Sequence, residues 1–131
     1  MSKHETWRTR LYWNRVGGTL IEEFIAVKGS KQQGKRPLDA VIILGEKKEI
    51  HPGNYTDIKD KDVIVVQTKK GRLGMYLLGQ AFFSRELIKN HGPNSVKTVA
   101  VCGRGDDAMQ KLADKYEIEV VVIPELPDGQ H

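Results

Sequence analysis

The sequence predicts one α/β domain, residues 1–131, with a mixed sheet of four to five strands flanked by helices. Apolar runs rich in β-branched residues recur along the chain, which is typical of strands buried on both faces. Glycine and proline stops separate these runs from segments with helical spacing. The chain closes with a strand, a helix and a strand, a crossover that is right-handed if the two strands are parallel neighbours.

The first half of the chain predicts one helix and one strand after a lead-in, residues 1–15. The pair Gly17-Gly18 precedes apolar residues at helical spacing, so we expect a helix over 19–28 with Thr19 as its N-cap. A basic connection with no apolar side chain follows at 29–37, which indicates an exposed loop. The run 38–44 is predicted to be a buried strand.

The second half completes the order α-β-β-α-β-α-β. Four consecutive β-branched residues at 63–66 indicate another buried strand, and Lys70-Gly71 is predicted to turn the chain into a long apolar helix. A Gly-Pro pair after that helix is a strong stop signal. The predicted elements are a helix over 72–89, a strand over 96–102, a loop over 103–106, a helix over 107–116, a strand over 118–123 and a tail over 125–131.

Composition restricts the class of protein. The 131 residues carry 21 Lys+Arg and 17 Asp+Glu, a formal charge of +4 that suits contact with a polyanion but is ordinary for a small protein. One cysteine, Cys102, lies in an apolar run and cannot form an internal disulfide. The sequence has no apolar stretch of signal-peptide or membrane-span length and no histidines at zinc spacing. We therefore expect a cytoplasmic protein without a membrane or zinc.

Gln67 and Lys69 are the most informative residues. They follow the buried run 63–66, and the period-2 geometry of a strand places both on one face at its end. Lysine is strongly hydrated and shifts its pKa when desolvated, so at the rim of a core strand it either reaches solvent or takes part in chemistry. The acid Asp39, at the start of the preceding strand, and Glu22, on the predicted first helix, favour chemistry.

This order of elements and residues resembles the PD-(D/E)xK nuclease superfamily, which has the restriction-endonuclease-like fold. The resemblance covers residues 17–102. It implies a DNA endonuclease that hydrolyses phosphodiester bonds with Mg²⁺ or Mn²⁺ held by Glu22, Asp39 and Gln67, while Lys69 assists the attacking water. Hard oxygen ligands and a nearby cation are also what phosphodiester hydrolysis requires chemically.

The sequence departs from the family pattern at two positions. Leu38 stands directly before Asp39 where the motif has proline, and Pro37 is one position further back. Gln67 stands where the motif has an acid, and its neutral carbonyl oxygen lowers the expected metal affinity. The superfamily that the sequence resembles includes active nucleases with a Glu, Asp and Gln-x-Lys set. The alternative is a catalytically inactive nuclease-fold module that binds DNA or supports an assembly.

Further residues are predicted to contact DNA. Arg72, Tyr76 and Gln80 recur every four residues, so on the predicted helix they form one stripe, with Arg72 as a phosphate contact. Basic residues beside the strands add to this set: Arg36 and Lys70.

The partners follow from the same interpretation. We expect duplex or branched DNA as the substrate, and a homodimer or a partner protein, because cutting both strands requires two active sites. Trp7, Tyr12 and Trp13 are candidates for the interface, although aromatic residues in a short chain are more often core. A separate alternative is an anionic small molecule at the loop 103–106, which lacks the full glycine fingerprint of a dinucleotide site.

Overall fold

The computed structural model describes residues 3–125. These residues form three α-helices and one six-stranded sheet. In chain order the elements are α1 (Lys3–Val16), β1 (Thr19–Val27), β2 (Arg36–Ile43), β3 (Ile50–His51), β4 (Asp62–Arg72), α2 (Met75–Ile88), a short 3-10 turn (Lys89–His91), β5 (Ser95–Arg104), α3 (Asp107–Lys115) and β6 (Ile118–Val122).

The sheet has the strand order β3-β1-β2-β4-β5-β6. The centre is antiparallel, since β2 pairs with β1 on one side and with β4 on the other. The second half is parallel: β5 pairs with β4, and β6 pairs with β5. The predicted strand-helix-strand crossover at the end of the chain is confirmed, because β5 and β6 are parallel neighbours joined through α3.

Helices cover both faces of this sheet, as the apolar runs predict. On one face, Tyr12 of α1 packs in a cluster with residues of β1, β2, β4 and β5. On the other face, residues of α2 pack on the same strands, and Ala113 of α3 joins them. Trp7 and Trp13 are partly buried against the α1 face. The three aromatic residues therefore contribute to packing under α1, and their predicted role in a dimer interface does not fit this burial.

The structure corrects the start of the chain. The predicted lead-in is helix α1, and the predicted helix over 19–28 is strand β1, so Thr19 is not an N-cap. Gly17 adopts φ +77° and its amide donates to the Trp13 carbonyl (2.7 Å), so the glycine ends a helix instead of preceding one. The true order is α-β-β-β-β-α-β-α-β, with β3 as an additional two-residue edge strand.

A backbone irregularity explains why β1 resembled a helix. Glu23 has φ +56°, and the strand's side-chain alternation breaks there. Leu20 packs on the α1 face, whereas Ile21 and Phe24 both pack on the α2 face. Apolar residues three positions apart on the same face are typical of a helix, but here a local kink in the strand produces that spacing.

The other predicted elements are confirmed with shifted ends. β4 continues to Arg72 and α2 begins at Met75, so Arg72 is a strand residue and does not share a helical stripe with Tyr76 and Gln80. The connection before β2 is exposed, as expected. Apart from Glu125, the predicted tail lies outside the described residues. No helix within residues 3–125 is long and apolar enough to cross a membrane.

Candidate functional site

A fork between the two central strands brings together three of the predicted site residues. The β2–β4 ladder runs from Ile43↔Val63 to Ala40↔Val66 and stops there. Beyond it β2 stays paired with β1, and β4 stays paired with β5. Asp39 is the next residue of β2, and Gln67 is the next residue of β4. The candidate residues therefore lie where the two strands separate.

Asp39 connects the two arms of the fork. Its Oδ2 accepts a hydrogen bond from the Thr68 amide at 2.9 Å. The carboxylate thus takes the place of a backbone carbonyl, because the ladder has ended one residue earlier. A backbone amide that donates to a carboxylate fixes the position of that carboxylate. Asp39 is half-buried, so it remains within reach of solvent at the fork.

Gln67 is buried and held by α2. Its side-chain nitrogen donates to the Ser84 hydroxyl at 2.7 Å. This bond orients the amide, since the nitrogen faces the helix and the carbonyl oxygen is available as a neutral ligand. Ser84 was not predicted as a site residue. Its signal was present in the sequence, because it is the one polar residue in the buried helical series Leu77, Ala81, Ser84, Ile88.

Lys69 is exposed and lies against an aromatic ring. Its Nζ is 5.3 Å from the centre of the Tyr76 ring, which is on the first turn of α2. Among the described residues it has no carboxylate partner. A cation held by a ring face keeps its charge and its donors, so Lys69 can approach an anionic ligand without first breaking an ion pair. Gln67 and Lys69 both contact α2, which agrees with the predicted shared face.

Glu22 has a different partner from the one predicted. It lies on β1, not on a helix, and Arg10 of α1 binds both of its carboxylate oxygens at 2.8 and 2.9 Å. This bidentate bond raises the pKa of Arg10 and holds Glu22 towards α1. Gln67 and Lys69 contact α2 on the opposite face of the sheet. The structure therefore brings Asp39, Gln67 and Lys69 to the fork and ties Glu22 to another group.

The residues predicted to contact DNA lie around the same fork. Arg36 begins β2 and is exposed on one arm. Lys70 and Arg72 end β4 on the other arm, where Arg72 lies 3.7 Å from Asp106. Tyr76 and Gln80 are exposed on α2, and Tyr76 contacts Lys69. Four of the five are thus close in sequence and on adjoining elements, while Arg36 lies across the fork.

The donor atoms at the fork suit a hard cation only in part. Asp39 supplies a carboxylate and Gln67 an amide oxygen, the ligand types that Mg²⁺ and Mn²⁺ prefer. Within residues 3–125 there is no group of three or more His, Cys, Asp or Glu side chains that could hold a metal ion. The two oxygen donors form a partial ligand set that would need water and substrate oxygens to complete it.

Other polar groups have structural roles. Asp106 accepts from the Met109 amide at 2.9 Å and caps α3, so within the loop 103–106 the amino terminus of the helix already has a carboxylate partner. Cys102 is fully buried, and burial raises the pKa of its thiol, which makes it unreactive. A cleft of about 1030 Å³ lies at the opposite, amino-terminal end of β5, away from the fork. We favour the fork as the candidate site because Asp39 and Gln67 offer oxygen ligands for a hard cation and Lys69 offers a positive charge beside them.

Comparison with family models, with curated proteins and with solved structures found no match for this chain. The candidate site therefore rests on the geometry of the fork and on the chemistry of the residues around it.

Proposed function

We propose that this protein is a metal-dependent DNA endonuclease with its active site at the fork between β2 and β4. The observation that carries the proposal is the arrangement of Asp39, Gln67 and Lys69 where the two central strands separate, with Asp39 bonded to the Thr68 amide. The resemblance to the PD-(D/E)xK superfamily supports the same three residues. Cytoplasmic location and a homodimer belong to this proposal.

The residues at the fork divide the work of phosphodiester hydrolysis. Asp39 and the Gln67 carbonyl oxygen would hold Mg²⁺ or Mn²⁺, which when bound supplies a Lewis acid for phosphate and water oxygens. The Thr68 amide fixes the Asp39 carboxylate, and Ser84 fixes the Gln67 amide. Lys69 faces the reacting phosphate, where it orients the attacking water or stabilises the developing negative charge.

The test is cleavage of supercoiled plasmid and of branched DNA in Mg²⁺, in Mn²⁺ and in EDTA. We expect nicking only with metal, and its loss in Asp39→Asn, which keeps an oxygen acceptor for Thr68 but removes the charge. Asp39→Ala serves as the stronger variant, and Asp114→Asn, on the exposed face of α3, serves as the matched control. Cleavage by Asp39→Asn at the wild-type rate would falsify the assignment.

Lys69→Ala separates chemistry from binding. We expect cleavage to fall by at least about a hundredfold, the lower end of what a positioned proton-transfer or charged group contributes. Binding measured in EDTA should weaken only by the loss of one phosphate contact. Strong residual cleavage in this variant would show that Lys69 is not part of the active site.

The second candidate is a nuclease-fold module that binds DNA without cutting it. It is favoured by the neutral Gln67 and by the Arg10–Glu22 ion pair, which together leave Asp39 as the one acid assigned to the metal. This candidate predicts tight DNA binding, no cleavage in either metal, and no heat of binding for Mg²⁺ or Mn²⁺ in calorimetry.

A further inference from the structure

The carboxyl ends of β4 and β5 concentrate positive charge next to the fork. In the parallel register Arg72 pairs with Arg104, and Lys69 pairs with Cys102. Like charges directly opposite each other in a sheet repel. Asp106 offsets Arg72 in part at 3.7 Å, whereas Lys70 and Arg104 have no ion pair among the described residues. An anion bound between these side chains would relieve the repulsion.

Two glycines expose the backbone between these cations. Gly71 adopts φ +87°, a conformation that favours glycine. A Cβ on Gly103 would lie 3.0 Å from the Gly71 amide nitrogen. Strands β4 and β5 therefore approach each other here more closely than a side chain on Gly103 would permit. A cleft of about 420 Å³ opens here, lined by Lys70, Gly71, Gly103, Arg104 and Glu125. Its size and its bare backbone suit a small anionic group.

A buried arginine lies under this cleft. Arg8 is 0% exposed, and its Nε donates to the Ile123 carbonyl at 2.7 Å. One terminal nitrogen donates to Glu125 at 2.9 Å and would lie 3.3 Å from a Cβ on Gly103. The other terminal nitrogen is buried and has no hydrogen-bond partner within residues 3–125. A guanidinium presents a planar set of donors that matches both carboxylate and phosphate oxygens. Here it already binds the Glu125 carboxylate at the edge of the cleft.

We propose that Lys70, Arg104 and the buried Arg8 form a binding site for one phosphate group, lined by Gly71 and Gly103, and that a DNA phosphodiester occupies it. The proposal rests on the proposed function for the identity of the ligand. The Glu125 carboxylate occupies the Arg8 end of the cleft until a phosphate replaces it. Lys70 follows Lys69 along β4, so this site lies at the same end of the sheet as the fork.

The test is the binding of labelled duplex DNA by fluorescence anisotropy, in EDTA and over a series of KCl concentrations. We expect Arg104→Ala and Lys70→Ala each to weaken binding several-fold at about 0.1 M salt and to lower the slope of log K against log salt by about 1, as for one lost phosphate contact. Lys97→Ala is the matched control, since it removes the same charge from the opposite end of β5. Its effect should stay below about twofold, because it contacts no phosphate in this proposal.

A substitution of Glu125 is expected to change DNA affinity in the opposite direction. Glu125→Gln removes the carboxylate that competes for Arg8, so we expect tighter DNA binding than in Glu117→Gln, an exposed acid away from the cleft. Equal salt slopes for Arg104→Ala, Lys70→Ala and Lys97→Ala, or equal affinities for the two glutamate variants, would overturn the proposal.

Two further outcomes distinguish the ligand and the enzyme. If inorganic phosphate raises the melting temperature of the wild type but not of Arg104→Ala, while DNA affinity is the same for both, the site takes free phosphate and the DNA assignment is overturned. If DNA binding depends on Arg104 and no metal supports cleavage, the phosphate site stands and the endonuclease proposal fails.

Discussion

Gln67 is the residue at which this chain departs most clearly from the motif it resembles. It is buried, and its amide nitrogen is bonded to Ser84. A glutamate would keep the bond with Ser84 in the acceptor role, because a serine hydroxyl can donate as well as accept. The position therefore has room and a partner for either side chain, and the choice between them sets the charge of the site.

Gln67→Glu should strengthen metal binding. A second carboxylate near a divalent cation adds a Coulomb attraction of several kcal/mol at an effective dielectric constant of about 20, opposed by the desolvation of the buried charge. We expect Mg²⁺ and Mn²⁺ to bind at least about tenfold more tightly, or about 1.4 kcal/mol, in titration calorimetry. Gln80→Glu, the same change on the exposed face of α2, should have no such effect. Equal metal affinities in the two variants would place the metal away from Gln67.

Glu22 should behave as a structural residue. Its side chain is 18% exposed and that of Arg10 is 48% exposed, so the pair is partly screened by water. We expect Glu22→Gln to cost about 1 kcal/mol or less in urea unfolding, the range for exposed ion pairs, and to leave plasmid cleavage within about twofold of the wild type. Loss of cleavage by a folded Glu22→Gln protein would restore the predicted role of Glu22 as a metal ligand.

At the scale of elements, helix α1 is the part of the fold that the sequence pattern concealed. Its buried face includes polar groups: Arg8 bonds to Ile123, and the Thr9 and Thr68 hydroxyls are 2.7 Å apart. A helix with polar residues on its buried side lacks the clean apolar stripe by which helices are identified. The apolar members, Trp7 and Leu11 at a spacing of four, were the available signal.

Tyr12 tests how α1 packs on the sheet. Its ring is buried, and its hydroxyl has no partner among the described residues. An unsatisfied buried polar group costs about 1 to 3 kcal/mol. We therefore expect Tyr12→Phe to be more stable than the wild type at pH 7 by an amount in this range, measured by urea unfolding. Destabilisation by this substitution would show that the hydroxyl makes a bond.

The same residue predicts a pH dependence. Burial first, and then the nearby Glu119, raises the pKa of Tyr12 to about 12 in the folded protein from an ordinary value of 10.0. The folded state therefore binds this proton more tightly than the unfolded state does, so stability falls as the pH rises from about 10 to about 12. Tyr12→Phe should lose less stability than the wild type over this window. Parallel losses in the two proteins would mean that Tyr12 does not titrate as a buried phenol.

At the scale of the whole molecule, α2 carries an exposed apolar surface. Met75, Tyr76 and Phe83 are 71%, 69% and 66% exposed, which is unusual for large apolar side chains on one helix. Gly79 lies midway between Met75 and Phe83, and a Cβ there would meet nothing within 4 Å. A second copy of α2 packed antiparallel across Gly79 would place Met75 of each copy against Phe83 of the other.

Under the proposed function, cutting both DNA strands requires two active sites, and we expect this surface to form the corresponding homodimer. Light scattering should give twice the mass of one chain for the wild type and the mass of one chain for Phe83→Asp. Phe83→Leu, which keeps an apolar side chain, should remain a dimer. A monomeric wild type at the concentration used for cleavage would contradict this expectation, and cleavage would then have to proceed one strand at a time.

The sequence by itself determined the α/β class, the central and closing strands and the crossover through α3. Runs such as 63–66 are buried on both faces of the sheet, so their continuous apolar composition predicts the strand that the folded structure contains. It also determined that Gln67 and Lys69 lie on the same face of their strand, because side chains alternate with a period of 2.

The tertiary structure alone decided the start of the chain, the fork and the partners of the charged residues. Helical spacing in β1 came from a kink at Glu23, which no local pattern reports. The end of the β2–β4 ladder at Ala40↔Val66, the bond between Glu22 and Arg10, and the facing of Arg72 and Arg104 all depend on strand register and helix packing. Register and packing join residues far apart in sequence, so they arise only when the whole chain is folded.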